Sequence, residues 1–334
     1  MITVIGEVLA DLIVSSDWST AAAPGGAPAN VAVALARLGQ PVSLRSRISS
    51  RGFGPMLRAH LASNGVSLRD VATAEEPATL AVATLDAEGQ ASYSFYLTGT
   101  ADWQWQEADL AEPLAADVAA LYLGSLACAL PPGSARIEAM AQRVHADGRA
   151  VVIYDPNLRP GMSAGRAADR ERVERQLNSV HVVKASADDL EWLYPAEPVS
   201  AVARRWLQLG PGLVVVTLGA GGAYAASRHG GDVSLPALPA EVKDTIGAGD
   251  AFAGGLLDAM AREGLLEGSA INCLASLDTA VLTRLLTSAG LVAALTCERR
   301  GADPPHRAAV AERWASLQRV SALAPGKAKD NAVT

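Results

Sequence analysis

The sequence predicts an α/β protein with a central, mostly parallel sheet flanked by helices and a small antiparallel β lid projecting from it. Short β-branched runs alternate with Ala/Leu/Arg segments of helical period along most of the 334 residues, which is how strands reach parallel neighbours through crossover helices. Between Thr79 and Leu97 the alternation fails. Two strand-like runs, Thr79–Asp86 and Ala91–Leu97, meet across the hairpin-type turn Ala87-Glu88-Gly89-Gln90 with no helix between them, so they pair antiparallel outside the winding. The chain is also 50% hydrophobic and 19% charged, with a mean hydropathy of +0.18, which is enough apolar surface to offset the ordering entropy of one large domain.

In chain order, strands are expected at 2–6, 42–48, 119–123, 150–154, 181–184, 213–217 and 222–226. Helices are expected at Ala29–Leu38, Pro55–Asn64, Ser134–Asp147, Arg166–Asn178, Ala187–Leu193, Val199–Leu209, Ala248–Glu263 and Ala280–Thr296, each with apolar residues recurring at three and four. The opening MITVIGEVLADLIV lacks a basic flank and meets Glu7 and Asp11, so it reads as a first β-hairpin rather than a leader. One domain is expected over 1–310, with the lid formed by about 8–20 and 79–104 and a tail over 322–334 that frays. Tyr93, Phe95, Trp103 and Trp105 need cover from a substrate, the main domain or a second subunit.

A net charge of −7 and a pI near 5.3 argue against a nucleic-acid binder. Cys128, Cys273 and Cys297 lie in no CxxC arrangement and read as small buried hydrophobes in a reduced compartment. Apolar runs near 118–130 and 212–226 are broken by Gly and fall short of the ~18 residues that span a bilayer. A cytoplasmic protein with no membrane partner is expected.

The stretch DTIGAGDAFAGG, Asp244 to Gly255, carries the chemistry. Gly247 and Gly249 let the backbone approach a ligand, and the helix that follows aims its free N–H groups and positive dipole end there, which suits a phosphate. Asp250 inside that anion site can accept the proton of an attacking hydroxyl while the amides stabilise the transferring phosphoryl group. The plainer reading is a Gly-rich loop before a helix whose first turn carries an acid to suit its dipole. A Walker A loop is excluded, because none of Lys184, Lys243, Lys327 and Lys329 follows such a glycine pattern. A dinucleotide fingerprint is weakened by Phe252 and Tyr224 where it needs glycine. A second stretch, Gly25-Gly26-Ala27-Pro28-Ala29-Asn30, opens a helix, and its Asn30 offers donor and acceptor to sugar hydroxyls.

GGAPANVAVALARLG resembles the N-terminal signature of the PfkB-type, ribokinase-like carbohydrate kinases, and DTIGAGDAFAGG resembles their C-terminal one, in matching order and separation. The similarity runs to about Arg307 and includes Gly124-Ser125, Asp155-Pro156-Asn157-Leu158-Arg159, Thr217-Leu218-Gly219 and ALTCERRGADPP; GGAPAN, YLGSLA and DPNLR are most similar to bacterial fructokinases within the family. The resemblance implies a ribokinase-like fold and transfer of the γ-phosphoryl of Mg-ATP to a primary hydroxyl of a small sugar, D-fructose foremost. It implies Asp250 as base, the amides of Gly247, Ala248 and Gly249 as anion hole, and Asp11, Gly25, Gly26, Asn30 and Arg159 around the sugar. Lys184, Ser186, Thr217, Gly219 and Gly222 would meet ATP, together with Gly247 and Gly249. Asp189 would act on Mg2+ through water, and Asp244 and Ile246 mark where K+ would sit. A homodimer through the lid goes with it.

Departures from the family pattern are Arg51 in Ser49-Ser50-Arg51-Gly52-Phe53-Gly54, where an acid is usual, and Ser186-Ala187-Asp188-Asp189 in place of Asn-x-x-Glu. INCLASLDTAVLTRLLTSAG does not align with adenine-contacting residues. His60, His145, His181, His229 and His306 are scattered and read as surface or strand-end residues, Trp192, Trp206 and Trp314 as core or helix-face residues, and Arg166–Arg175 as a solvated helix with i,i+4 pairs. The alternatives are a 2-keto-3-deoxygluconate, ribose or nucleoside kinase of the same family, or a catalytically silent sugar- or nucleotide-binding protein.

Overall fold

A computed structural model of the chain describes residues 1–85 and 91–323. The first half supplies β1 (Ile2–Ile5), β2 (Leu9–Val14), β3 (Thr20–Gly25), α1 (Ala27–Arg37), β4 (Val42–Ser49), α2 (Gly54–Ser63), β5 (Val71–Ala74), β6 (Leu80–Leu85), β7 (Ala91–Tyr96) and α3 (Glu107–Ala111). There follow β8 (Ala120–Gly124), α4 (Gly133–Asp147), β9 (Val151–Asp155), α5 (Arg166–Leu177), β10 (Val182–Ser186), α6 (Ala187–Leu193) and α7 (Val199–Leu207). The last part is β11 (Leu213–Thr217), β12 (Ala223–Ser227), β13 (Asp232–Leu235), α8 (Ala248–Arg262), α9 (Thr279–Cys297) and α10 (Arg307–Leu323).

Nine strands form the main sheet in the order β13-β12-β11-β10-β9-β8-β1-β4-β5. All pairs from β11 to β5 are parallel, and β12 and β13 close one edge antiparallel. β1 lies at the topological switch, paired with β4 on one side and β8 on the other, so the crevice beyond the carboxyl ends of these strands is where a ligand belongs. The period of two sends Val151 and Ile153 of β9 into one core with Leu35, Leu256 and Leu282, and Val152 and Tyr154 into the other with Val173, Leu177 and Trp206. The two glycines of the C-terminal signature let α8 pack tightly, since a Cβ at Gly254 would stand 2.6 Å from Ala34 Cβ and one at Gly255 2.9 Å from Val292 Cγ2.

A second sheet, β3-β2-β6-β7, is antiparallel at both edges, while its central β2–β6 pair runs parallel. The opening is therefore not a hairpin. β1 joins the main sheet and β2 the small one; Gly6 between them has φ +156° and lies so close to Pro28 that a Cβ would stand 2.3 Å from its Cγ. Buried Asp102 holds the crossover in place: its Oδ1 accepts from the Val8 amide at 2.7 Å and its Oδ2 from Thr79 Oγ1 at 2.5 Å.

The structure decides one open sequence expectation and corrects others. Trp103 and Trp105 are covered by the main domain, packed with Leu110, Ile137 and Met140. Only Cys128 of the three cysteines is buried; Cys297 is half-buried and Cys273 exposed. The ordered helix α10 runs past 310 to Leu323, with Val310 packed against Leu38, Ala251 and Val292. The turn at 87–90 and most of the tail lie outside the described residues. His145 and His181 stack with ring centroids 4.5 Å apart, and His181 Nδ1 accepts from the Val152 amide. Helix α5 is not simply solvated: Asp169 is buried and accepts from Ser163, Arg172 and Trp192. By length and composition α9 could cross a membrane, but Leu282, Leu285 and Ala289 are buried within the core.

Candidate active site

The two signature stretches meet where Asn30 of one bonds Asp250 of the other. Helix α8 begins there after Gly247, whose φ of +74° is left-handed and whose Cα lies so close to Ala302 that a Cβ would stand 2.6 Å from that side chain. Contrary to expectation the Ala248 amide is not free but donates to Thr245 O at 3.2 Å, whereas among the described residues the amides of Gly247, Gly249 and Asp250 have no protein acceptor. The unpaired amides of Gly247, Gly249 and Asp250 thus form a cradle that suits an anion, with the helix dipole behind it.

Asp250, half-buried, accepts a hydrogen bond from Asn30 Nδ2 at 2.8 Å, which brings together residues 220 apart in sequence. Burial lifts its carboxyl to about 6, against the Asn30 hydrogen bond and the Lys184 charge, while Asp155 raises it and Arg159 lowers it. Two segments hold Asn30 there: its amide donates to Gly26 O, and Gly26 adopts φ +104° with Glu7 O where a Cβ would go. The Asp11 carboxylate rests on Gly25, since a Cβ there would stand 2.2 Å from Asp11 Oδ2, and burial pushes Asp11 up to about 6. Arg159 is exposed, bonded to Asn157 Oδ1 at 2.7 Å.

Under the cradle lies a polar network whose pairing the sequence did not disclose. Lys184 Nζ donates to Asp155 Oδ2 at 2.8 Å, Tyr122 OH donates to the same oxygen at 3.1 Å, and all three side chains are buried. A Cβ on Gly249 would lie 3.7 Å from Lys184 Nζ, so the ammonium stands just beneath the cradle. Among the described residues, buried Asp155 Oδ1 has no hydrogen-bond partner. Glu7, also buried, accepts from the Ala127 amide at 3.1 Å, and burial pushes its carboxyl to about 7. Ser125 and Asn157, at the ends of β8 and β9, have φ of +58° and +38°, strain concentrated at this same edge.

Other residues singled out from the sequence sit differently. Asp189 spends both oxygens on protein donors: Oδ1 accepts from the Leu158 amide at 2.7 Å, and Oδ2 from the Ser186 amide and hydroxyl. Ser186 and Asp189 thus form the capping box of α6, and Asp189 Oδ1 keeps acceptor capacity beyond the one hydrogen bond it takes from Leu158. Thr217 ends β11 beside Ala185 O, and Gly219 has open space around it. Gly222 faces protein, with Leu235 O 2.0 Å from where a Cβ would be. The Asp244 carboxylate ties the Ile246 amide at 3.0 Å to the Gly301 amide at 2.8 Å, and Ile246 is exposed. Arg51 pairs in solvent with Glu75 at 2.6 Å.

Residues 1–308 match the pfkB family carbohydrate kinase profile. The chain belongs to that family. A fructokinase from Rhizobium leguminosarum bv. trifolii is 35% identical over 272 residues, covering 80% of this chain and 81% of that protein. Among solved structures, a fructokinase with bound ATP from Xylella fastidiosa aligns with a TM-score of 0.82 at 28% identity, covering 96% of this chain and 98% of the other. A double-mutant fructokinase from Vibrio cholerae in fructose, ADP and potassium ion bound form aligns with a TM-score of 0.77 at 26% identity, covering 93% and 97%. As a pfkB carbohydrate kinase, the chain is a phosphotransferase acting on a sugar hydroxyl, and the ribokinase-like architecture expected from the signatures is present. Of the residues that sequence reasoning gave no role, Glu7 lies just beyond β1, Asp155 ends β9 and Tyr122 sits in the middle of β8; an acid at the end of a buried strand was the available signal for the first two.

Proposed function

We propose that the protein is an ATP-dependent fructokinase in which Asp250 is the base. The observation that carries this reading is the Asp250 carboxylate, anchored by Asn30 at the mouth of three unpaired amides. The primary hydroxyl of the sugar gives its proton to Asp250 as its oxygen attacks the γ-phosphorus, and ADP leaves. The amides of Gly247, Gly249 and Asp250 hold the charge that develops on the transferring group. Lys184 adds a fixed positive charge from below. Asp11, Gly25, Gly26 and Asn30 surround the sugar, and fructose is favoured by the relatives' printed activity.

Asp155 Oδ1, buried without a partner beside Asp250, fits a divalent ion brought in on ATP, through water; Mg2+ there would offset phosphate charge. The Asp244-tied loop is the place for a monovalent cation, a reading supported by the potassium in the Vibrio cholerae structure. A homodimer through the small sheet, which exposes Ile13, Trp18, Phe95 and Tyr96, and a cytoplasmic location with its ATP supply complete the proposal.

ADP release from Mg-ATP across fructose, ribose, 2-keto-3-deoxygluconate and adenosine tests the substrate. Turnover confined to fructose is the expected result, and preference for another acceptor would overturn it. Because the base must be ionised and its carboxyl lies at about 6, kcat/KM is expected to fall about tenfold per pH unit below that point and to level off above it. Asp11 titrates in the same window, so the acid limb must persist in Asp11→Ala if it belongs to Asp250. That variant should itself raise KM for the sugar about tenfold with a smaller change in kcat, because it removes a hydrogen-bonding charge that meets substrate in both ground and transition states.

A further inference from the structure

The residues that would hold the sugar come from two bodies. Asp11 lies on β2 and Gly25 ends β3, both in the small sheet, whereas Asn30 and Asp250 lie on α1 and α8, which pack on the main sheet. Where the small sheet stands on the main one therefore decides how far a sugar hydroxyl held by Asp11 lies from the base.

One buried side chain ties the two bodies together. Asp102 sits on a short turn, Ala101–Trp103, that belongs to the main body: the Ala101 carbonyl accepts from Arg47 Nε at 3.3 Å, and Trp103 packs with Leu110, Ile137 and Met140. From there its carboxylate reaches the root of both central strands of the small sheet. Oδ1 accepts from the Val8 amide, three residues before Asp11, and Oδ2 from Thr79 Oγ1, just ahead of β6. The Ala10 amide donates to Thr79 O at 3.0 Å, and the parallel β2–β6 pairing starts at that point. Glu7, next to Val8, is held by the Ala127 amide, and its carbonyl lies against Gly26, whose own carbonyl takes the Asn30 amide.

Packing alone does not ask for a carboxylate here. Asp102 is 2% exposed and makes no ion pair among the described residues, and burial pushes its carboxyl up to about 6. An uncompensated buried charge costs stability, but hydrogen bonds to a charged acceptor are about twice as strong as neutral ones. What the charge adds is stiffness at the joint. We propose that Asp102 is a positioning residue for phosphoryl transfer, holding the root of the small sheet so that Asp11 and Gly25 meet the sugar within reach of Asp250. The inference rests on the fructokinase reading above.

Asp102→Ala is expected to raise KM for fructose about tenfold, because a ready position only about one-tenth occupied lowers apparent affinity by that factor. Saturating fructose refills that position, so kcat should stay within about twofold. A purely structural role would instead lower kcat through loss of folded enzyme and leave KM unchanged. In an Asp11→Ala background the same change should add less than about twofold, since most of its effect passes through Asp11. Asp102→Asn should stay within about threefold of the wild-type KM: its oxygen can accept from Val8, its amide can donate to Thr79 Oγ1, and that hydroxyl can turn to Thr100 Oγ1, 2.6 Å away. Thr79→Val, which removes one arm and keeps the side-chain shape, should fall between. Hydrogen exchange over residues 8–14, read by mass spectrometry without sugar or ATP, should quicken about tenfold in Asp102→Ala and less in Thr79→Val. Unchanged KM in folded Asp102→Ala and Thr79→Val, full additivity with Asp11→Ala, or unchanged exchange would each overturn the proposal. A wild type that does not turn over fructose would overturn the substrate reading instead, and the exchange measurement then decides the joint by itself.

Discussion

Asp250→Asn is expected to lower kcat by ~10²-fold or more with little change in KM for either substrate, measured as ADP release at saturating sugar and ATP. The amide keeps the shape of the carboxylate, and its oxygen can still accept from Asn30, so the cradle and the N-terminus of α8 remain in place. Only the proton acceptor is lost. Stability should hold or rise. The folded-state carboxyl lies at about 6, above its ordinary 3.8, so ionised Asp250 costs stability as pH climbs through that range, and a neutral amide removes the cost. Near-normal turnover in a folded Asp250→Asn would refute the assignment of the base.

Lys184→Met should be the most destabilising single change at the site, costing about 3–5 kcal/mol in denaturant unfolding, because it leaves the buried Asp155 carboxylate without its counter-charge. Asp155 already carries one oxygen with no partner, so little remains to hold the charge. Adding Asp155→Asn should recover most of the loss, since the amide oxygen still accepts from Tyr122 and no buried charge is left. A single variant within about 1 kcal/mol of the wild type would show that the pair is not a structural ion pair of this strength.

The winding of the main sheet was legible in the residues because both of its signals are local. Strands such as Leu213–Thr217 announce themselves by β-branched runs and helices such as Ala187–Leu193 and Ala248–Glu263 by period, and the structure places them within a residue or so of expectation. The chemistry-bearing stretch was legible for the same reason: Gly247, Gly249 and Asp250 lie within four positions, so their mutual geometry follows from one loop and one helix start.

What depended on distant partners was not legible. β2 looked like the return strand of a hairpin because nothing in LADLIV shows that Asp102 fastens Val8 to Thr79 or that β6 pairs with β2 in parallel. Nothing in Ser186-Ala187-Asp188-Asp189 shows that Asp189 accepts from the Leu158 amide, 31 positions away. By itself the sequence determined the α/β class, the order of most elements, the family and the candidate base, since these follow from hydrophobic period and contiguous motifs. Only the tertiary structure decided which charges are spent and which are free: Lys184 on Asp155 across 29 positions, Asn30 on Asp250 across 220, and Arg45 on no carboxylate among the described residues. Ionic and hydrogen-bond pairing is set by the packing of segments far apart in the chain, and no local pattern encodes it.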